Sequence, residues 1–344
     1  MLPSHLPKPE LFGPGHGEPS LRWGVIGPGW IAGEFVKAVR AHTRQQVVAV
    51  ASRSAARSSI FAAAHGISTA VDSVERLVTL PEVDVVYVAT PNSEHAATGL
   101  AAIAAGKHVL IEKPIGLNAD EARALADAGR TAGVLVMEAM WTRYLPQTSV
   151  IRRLLADGVF GELRAVLADH GQAIGAGPGH RLYEPGLGGG ALLDLGIYPI
   201  QLASMVLGAP TQVTAVGDLA ASGVDASSTL VLRHGGGAQS TLYSSMVART
   251  PTSAVISGVE AVLGLDGPFH TPTGFTLTGA DYFSPSLSWE DSTGLTLFDG
   301  LSWQATALAH YVGEGRAESP LHPLDEVVTI MDTIDQARAQ LGAA

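Results

Sequence analysis

A glycine-rich turn near the start of the chain has the residue types that bind a diphosphate. The apolar run 23–26 is followed by Gly27, Gly29 and Ala32 in the spacing G-x-G-x-x-A, and helix-forming residues come next. In a strand–turn–helix unit of this kind, the first glycine makes the turn, the second lets the backbone approach a pyrophosphate, and the alanine allows close helix packing. The phosphate charge then lies at the helix N-terminus. The residues that we predict to line this turn are Gly27, Gly29, Trp30 and Ile31.

Two further segments with chemical content directly follow predicted strands. One begins after the apolar run 83–89 and carries His95, and the other ends the predicted strand 108–112 and carries Lys113. Ligands bind at the carboxyl ends of the strands in an open α/β sheet, so a lysine and a histidine delivered there are well placed for chemistry. The residues of these segments that we predict to contact a cofactor are Thr90, Pro91, Asn92, His95, Glu112 and Lys113.

The elements that must position these segments alternate between strand and helix from residue 21 onward. This alternation is typical of a parallel sheet that is covered by helices on both faces. The predicted strands are residues 23–26, 47–51, 83–89, 108–112 and 134–138, and the predicted helices include 31–40 and 55–65. The run 83–89 is continuously apolar, as expected of a central strand that is buried on both sides. We predict an α/β fold with a doubly wound, Rossmann-type dinucleotide-binding domain over residues 21–143.

The pattern changes after about residue 144. A helix at 148–157, a strand at 163–169, a glycine-rich loop at 171–190 and an apolar helix at 191–207 come first. The strands that follow without intervening helices are 212–218, 227–233, 239–246, 253–258 and 261–266, and a last helix carries Leu324, Val327, Val328, Met331 and Ile334 on one face. We predict a large, open, mainly antiparallel sheet in an α+β domain over residues 144–344, which binds substrate and forms a dimer. Residues 1–20, rich in proline and glycine, are predicted to form an N-terminal arm.

Composition limits the classes of partner. With 344 residues the chain is long enough for two domains, since single cores stop growing at roughly 250 to 300 residues. A net charge of -11 and a pI near 5.5 argue against nucleic acid and anionic membranes as partners, because both need a basic surface. No histidine pair has metal-ligand spacing, so no metal site is expected. The chain has no cysteine, no signal-peptide pattern and no apolar run judged long enough to span a membrane, from which we expect a cytoplasmic protein that acts on a small molecule.

The three motifs occur together in one order and spacing. The G-x-G-x-x-A turn, the segment Thr90-Pro91-Asn92-x-x-His95 and the triplet Glu112-Lys113-Pro114 resemble the Gfo/Idh/MocA family of nicotinamide-dependent oxidoreductases. The resemblance covers residues 21–342, and the stretches 138–144 and 188–198 look most like the branch of dimeric dihydrodiol dehydrogenases and NADP-dependent D-xylose dehydrogenases. It implies a homodimer or a dimer of dimers, because relatives bury the open face of the antiparallel sheet against a second subunit.

Three residues are predicted to carry the reaction. Oxidation of a secondary alcohol needs a group that takes the hydroxyl proton and a positive partner that stabilises the alkoxide. Many relatives have a histidine four residues after the aspartate, where this chain has Tyr198, so the predicted acid/base is a phenol. An ammonium group within about 4 to 6 Å lowers the pKa of a phenol from ~10, which is the role predicted for Lys113. Asp194 is predicted to share a helix face with Tyr198 and to orient substrate hydroxyls or hold Lys113.

The end of the second predicted strand indicates which nicotinamide cofactor is bound. A preference for NAD normally shows as Asp or Glu about 20 residues beyond the glycine turn, where the carboxylate bonds the ribose hydroxyls. This chain has Ser52, Arg53 and Ser54 there, and Arg57 follows. A hydroxyl and a guanidinium bind a 2′-phosphate that a carboxylate would repel, so NADP is predicted over NAD.

Several of these residues also have a purely structural interpretation. For His95 we favour a structural role at a helix start near the cofactor over proton transfer. Trp141, Arg143 and Tyr183 either line the substrate site or pack between domains, and the sequence does not choose between the two roles. The glycines at 188–190 are interpreted as shape that lets the next helix pack closely.

Together these features predict an NADP-dependent oxidoreductase. It transfers a hydride between the nicotinamide and a hydroxyl or carbonyl group of a sugar, a polyol or a cyclic trans-diol. One alternative is a reductase of a ketosugar or anhydrosugar, and another is a non-catalytic NADP-binding sensor or partner subunit. The intact set of Lys113, Asp194 and Tyr198 disfavours the sensor.

Overall fold

The computed structural model describes residues 2–175 and 179–344, and its internal contacts divide the chain into two compact units. The parallel-sheet unit consists of Phe12–Tyr144 and Thr296–Val328. The mixed-sheet unit consists of Leu145–Leu295 and Thr329–Ala344, with the N-terminal residues up to Leu11. The segment Thr296–Val328 therefore belongs with the first sheet although it follows the second sheet in the sequence.

Strands and helices alternate in the parallel-sheet unit before Tyr144. They are β1 (Arg22–Ile26), α1 (Trp30–His42), β2 (Gln46–Ala51), α2 (Ala55–His65), β3 (Thr69–Val71), α3 (Val74–Val78), β4 (Val85–Val88), α4 (His95–Ala104), β5 (His108–Ile111), α5 (Ala119–Ala132) and β6 (Val136–Glu138). The strands are all parallel and lie in the order β3-β2-β1-β4-β5-β6, which confirms the predicted doubly wound sheet. Because the strand order reverses between β1 and β4, the ligand site of such a sheet lies beyond the carboxyl ends of those strands.

Buried apolar residues set how these elements pack. Every residue of β4 is buried, and α5 buries a stripe that includes Ala122, Leu125, Ala126 and Gly129. A Cβ atom on Gly99 of α4 would lie 2.7 Å from Cδ1 of Ile111, so glycine lets this helix approach β5 closely. The elements β3 and α3 were not predicted, because they span only 3 and 5 residues and carry too little periodicity.

The mixed-sheet unit contains one large sheet. Its elements are α6 (Pro146–Ala156), β7 (Leu163–Gly171), α7 (Ile197–Leu207), β8 (Pro210–Leu219), β9 (Asp225–His234), β10 (Gln239–Ser245), β11 (Ala254–Gly258), β12 (Ala261–Leu265), β13 (Phe275–Gly279) and β14 (Ser286–Trp289). The strand order is β14-β13-β12-β11-β7-β10-β9-β8, and the sheet is mainly antiparallel as predicted. The pair β7 and β10 is parallel, because the long connection through α7 allows a crossover.

Two further helices complete the fold. They are α8 (Leu301–Gly313), which packs on α1, and α9 (Leu324–Leu341), whose apolar face matches the prediction at Leu324, Val327, Met331 and Ile334. The elements α8, β13 and β14 were not predicted. The last two strands span only 5 and 4 residues, which is too short for their alternation of apolar and polar residues to indicate a strand.

Among the residues that the structure describes, one segment is long and apolar enough to cross a membrane by length and composition, contrary to the expectation from the sequence. It runs from Pro185 to Leu207 and includes α7. Of its most apolar window, 83% is buried inside the chain, where α7 packs on β7 and β10. That environment is the one found for a core helix.

The N-terminal residues 2–20 contain neither helix nor strand, as their proline and glycine content predicts. The residues up to Leu11 nevertheless contact the mixed-sheet unit, and those from Phe12 contact the parallel-sheet unit. The backbone N–H of Glu10 donates to Ser149 Oγ at 2.9 Å, and the ring of Phe12 lies 5.9 Å from the rings of Tyr144 and Tyr311.

Candidate active site

The glycine turn after β1 has the geometry that its sequence predicts. Gly27 has a φ of +93°, and a Cβ atom there would lie 2.5 Å from the carbonyl oxygen of Ala89 and 2.7 Å from the N of Thr90. Only glycine fits, and the turn therefore lies directly against the segment that follows β4. A Cβ atom on Gly29 would meet no protein atom within 4 Å among the described residues. The backbone of Gly29 is thus open to close approach by a ligand.

The start of α1 offers backbone N–H groups at this turn. The first intrahelical hydrogen bond runs from the N–H of Gly33 to the carbonyl oxygen of Gly29 at 3.1 Å, and no side chain caps the helix. The N–H groups of Trp30 and Ile31 precede that bond, and such groups, with the positive end of the helix dipole, bind phosphate. Ala32 is fully buried, as the close packing of the motif requires.

His95 joins the two segments that follow β4 and β5. Its Nδ1 lies 2.7 Å from the carbonyl oxygen of Pro114, and its Nε2 lies 2.9 Å from that of Thr90. Burial outweighs the two carbonyl oxygens and lowers the pKa of His95, while the carbonyls oppose this shift because only the charged ring has an N–H for each of them. The buried ring contacts backbone on both sides, which supports the structural interpretation of this histidine.

Glu112, next to Lys113, faces the interior of the unit. The hydroxyl of Tyr87 donates to Glu112 Oε1 at 2.5 Å, and the ring of Tyr87 stacks on Phe35. Burial raises the pKa of Glu112 to about 7, although the Tyr87 hydrogen bond and the charge of Lys113 lower it. The carboxyl is therefore poised between its protonated and ionised forms close to neutral pH.

The end of β2 carries the side chains predicted to select the cofactor. Ser52 Oγ accepts the N–H of Ser54, and Ser54 in turn caps α2 by accepting the N–H of Arg57. The side chain of Arg53 is 85% exposed, and its Nη1 lies 3.8 Å from Glu94 Oε1. Arg53 thus reaches toward the segment after β4, and an exposed pair at this distance holds it only weakly.

Aromatic rings adjoin the glycine turn. The ring of Trp30 is 66% exposed and lies 4.8 Å from Phe298, edge to face. Phe298 stacks on Trp141 at 5.9 Å. Trp30 was predicted to bind the cofactor, and Trp141 either to line the substrate site or to pack between domains. The two rings are connected through a third ring, Phe298, that the sequence did not indicate.

Arg143 belongs to a buried charged network. Its side chain is 2% exposed and pairs with Glu326 at 2.6 Å. Glu138 accepts the N–H of Ile115 at 2.9 Å through Oε1, while its Oε2 lies 2.7 Å from His322 Nε2. Burial raises the pKa of Glu326, but the His322 hydrogen bond and the Arg143 charge outweigh it and hold that pKa well below its usual range. This network gives Arg143 partners within the parallel-sheet unit, and its role at the substrate site stays a prediction.

Tyr198 lies in the mixed-sheet unit beside two histidines. It follows a π-helical turn, Leu192–Gly196, at the start of α7, and π turns are frequent at functional sites. The phenol is 6% exposed, and its ring lies 5.3 Å from His170 and 4.9 Å from His270, which stack on each other at 4.5 Å. No local sequence pattern indicates these histidines, because β7 and the loop after β12 bring them to α7 from distant positions.

Asp194, on the π turn, pairs with a residue that the sequence analysis missed. Arg181 Nη2 donates to Asp194 Oδ1 at 3.0 Å from the short 3-10 turn Arg181–Tyr183. Tyr183, on the same turn, donates to the carbonyl oxygen of Ile174 at 3.4 Å and packs on a buried apolar cluster. These contacts of Tyr183 lie within the mixed-sheet unit, and its role at the substrate site stays a prediction, while Arg181 enters the candidate site.

The predicted catalytic residues are divided between the two units. Lys113 belongs to the parallel-sheet unit with the predicted cofactor residues, whereas Asp194 and Tyr198 belong to the mixed-sheet unit. That the ammonium group of Lys113 lies close enough to Tyr198 to lower its pKa stays a prediction. Within residues 2–175 and 179–344, no group of three or more histidine, aspartate and glutamate side chains is arranged to hold a metal ion.

Comparison with known proteins covers nearly the whole chain. A family model described as an oxidoreductase family with an NAD-binding Rossmann fold matches residues 21–140, and a model of the GFO/IDH/MocA C-terminal domain matches residues 148–263. A trans-1,2-dihydrobenzene-1,2-diol dehydrogenase from Bos taurus is 35% identical over 332 residues, which cover 94% of this chain and 97% of that protein.

Two solved structures extend the comparison. The 3-ketoreductase KijD10 from Actinomadura kijaniata, in complex with NADP and TDP-benzene, is 27% identical with a TM-score of 0.80. An aldose-aldose oxidoreductase from Caulobacter crescentus, complexed with glycerol, is 25% identical with a TM-score of 0.82. Each similarity covers 94% of this chain and 98% of the other chain.

Proposed function

The chain belongs to the Gfo/Idh/MocA family of oxidoreductases, and on that premise we propose that it transfers a hydride between NADP and a hydroxyl or carbonyl carbon of a sugar, polyol or cyclic trans-diol. One structural observation carries the proposal. A buried phenol, Tyr198, lies four residues after Asp194, which forms an ion pair with Arg181. A proton acceptor and a carboxylate that can bind hydroxyl groups therefore occur on one helical segment. The names of the related dehydrogenases supply the substrate class.

The roles of the side chains follow from their chemistry. Tyr198 takes the proton of the substrate hydroxyl as the alcohol is oxidised, and returns it in the reverse direction. Lys113 supplies the positive charge that favours the phenolate and stabilises the developing alkoxide. Asp194, held by Arg181, orients neighbouring substrate hydroxyls. When bound, the nicotinamide ring accepts or donates the hydride.

The geometry of the parallel-sheet unit suits a phosphorylated dinucleotide. Gly27, Gly29 and the first N–H groups of α1 fit the diphosphate, because a side chain at either glycine would obstruct the turn or the approach of the ligand. The exposed guanidinium of Arg53, with Ser52, suits a 2′-phosphate. We therefore propose NADP in preference to NAD, with Arg57 in a supporting position.

We also propose that the chain forms a homodimer or a dimer of dimers through the sheet face of the mixed-sheet unit. Val231 pairs with Thr241, Thr241 with Leu167 and Leu167 with Val255, so their side chains form a row across four strands. Leu167 is 49% exposed. An exposed row that contains apolar side chains is typical of a surface that binds another subunit. Light scattering at micromolar concentration should give at least twice the monomer mass, and Leu167→Arg should lower it. A monomer mass for the wild type would contradict the proposal.

A substrate panel tests the enzymatic proposal. The protein is mixed with NADP or NAD and with aldoses, polyols and cyclic trans-diols, and ketosugars are tested with the reduced cofactor, while the absorbance of reduced cofactor is followed. We expect turnover with at least one sugar or diol. If turnover is confined to ketosugar reduction, the alternative suggested by the 3-ketoreductase gains. Tight NADP binding without any turnover would contradict the enzyme and favour the sensor.

A further inference from the structure

A buried carboxylate contacts the start of the helical segment that carries the candidate catalytic residues. Asp225, at the beginning of β9, is fully buried, and its Oδ2 accepts the N–H of Leu192 at 2.6 Å. Leu192 begins the π turn that contains Asp194 and leads to Tyr198. A carboxylate that accepts N–H groups in the first turn of a helix fixes that end and complements the helix dipole.

Gly190 makes this contact possible. It has a φ of +111°, and a Cβ atom on it would lie 2.2 Å from Asp225 Oδ1, so any other residue would displace the carboxylate. The N–H of Gly190 donates to the carbonyl oxygen of Leu182 at 2.9 Å, which ties the same turn to the segment that carries Arg181. Gly190, one of the three glycines interpreted from the sequence as shape, therefore leaves the space that the Asp225 carboxylate occupies.

Opposing effects act on the pKa of the buried Asp225 carboxylate. Burial raises the pKa of Asp225 to about 6, and the N–H of Leu192, the charge of Arg338 on α9 and the N–H of Ala191 lower it. Val224 and Ala226, the chain neighbours of Asp225, belong to a buried apolar cluster with Leu182, Ala191, Leu195 and Met246. A buried charge is destabilising unless hydrogen bonds satisfy it. The hydrogen bond from the helix start therefore stabilises the ionised carboxylate.

We propose that Asp225 is a positioning residue for Tyr198: its carboxylate, admitted by Gly190, fixes the start of the π turn and so sets where the phenol and Asp194 stand. The inference rests on the proposed function, since it assigns Asp225 to the placement of the candidate acid/base. A displacement of about 1 Å at reacting groups lowers turnover by up to 10²-fold, which makes the contact measurable.

The first test compares Asp225→Ala with Asp225→Asn. In the alanine variant, kcat on the best panel substrate should fall by roughly tenfold or more, with NADP affinity changed less than about twofold. The asparagine variant keeps one acceptor oxygen and should recover most of kcat. Asp218→Ala, at an exposed position on β8, is the matched control and should behave as the wild type. Wild-type kcat in a folded Asp225→Ala protein would overturn the proposal.

The second test does not depend on turnover. Hydrogen exchange of the amides at 191–198 should be faster in Asp225→Ala and in Gly190→Ala than in the wild type, and unchanged exchange would overturn the proposal. Gly237→Ala is the control for Gly190, because Gly237 also has a positive φ but no protein atom near its Cβ position. If Asp225→Ala does not fold, Gly190→Ala decides by the same two measurements. If the wild type turns over no substrate, the proposed function fails while the exchange result still decides the role of Asp225.

Discussion

The glycine turn of the parallel-sheet unit and the Tyr198 region of the mixed-sheet unit hold their functional groups in place by different contacts. In the first, backbone does the positioning: Gly27 lies against Ala89 and Thr90, and His95 bonds two carbonyl oxygens. In the second, side chains position the functional groups. Asp194 accepts a hydrogen bond from Arg181, and the ring of Tyr198 packs on His170 and His270.

This difference indicates how each region responds to substitution. Backbone donors bind phosphate whatever the side chains are, so the first region is sensitive at its glycines and at the few charged groups that select a cofactor. The second region is sensitive at each side chain that touches Tyr198 or Asp194, because a side-chain cluster loses its geometry when one member changes. Binding and proton transfer should therefore be separable by mutation.

The largest expected effect is at Lys113. Lys113→Met removes both the charge that favours the phenolate and a donor to the substrate oxygen, so kcat should fall by roughly 10²-fold or more. When Lys113→Met and Tyr198→Phe are combined, the losses should be far from multiplicative, because the two groups act as one unit. Independent, fully multiplicative losses would contradict the prediction that Lys113 and Tyr198 act together. Steady-state kinetics of the two single variants and the double variant makes this comparison.

A large effect on stability is expected at Glu112. Its pKa is raised from 4.5 to about 7 in the folded chain, so the fold favours the protonated form. The stabilisation is complete below the unfolded pKa and is lost as the pH rises through about 7, by on the order of 3 kcal/mol. Glu112→Gln keeps an acceptor for Tyr87 without a charge, so it should be more stable than the wild type at pH 8 and similar at pH 4.

Urea unfolding of the cofactor-free protein at several pH values measures this difference. The exposed carboxylate of Glu290 provides the control, since Glu290→Gln should follow the wild-type curve. A Glu112→Gln variant that loses stability in parallel with the wild type between pH 4 and pH 8 would contradict the assignment.

How much was predictable depended on the distance between contacting residues along the chain. The doubly wound parallel sheet and the segments at Gly27, Thr90 and Lys113 were predicted, because adjacent strand and turn residues carry that information. The partners Arg181, His170 and His270 were not. Their contacts with Asp194 and Tyr198 are made by tertiary packing of β7, α7 and the loop after β12, for which no local pattern exists.

A smaller effect is expected at Arg53. Arg53→Ala should weaken NADP binding by about tenfold and leave NAD binding nearly unchanged, because only NADP offers a 2′-phosphate to the guanidinium. Glu94→Gln removes the carboxylate that lies 3.8 Å from Arg53, so it should leave NADP binding equal or tighter. Fluorescence titration of the wild type and both variants with NADP and with NAD measures the six dissociation constants. Equal losses for NADP and NAD in Arg53→Ala would show that this end of β2 does not select the cofactor.

The separation of binding from proton transfer is tested most directly in one variant, Tyr198→Phe. Its dissociation constant for NADP and its kcat on the best panel substrate are measured in the same preparation. The assignment of Tyr198 as the acid/base predicts an NADP constant within about twofold of the wild type and a kcat that is lower by roughly 10²-fold or more. A kcat close to the wild-type value, or a loss of NADP affinity that matches the loss of kcat, would contradict it.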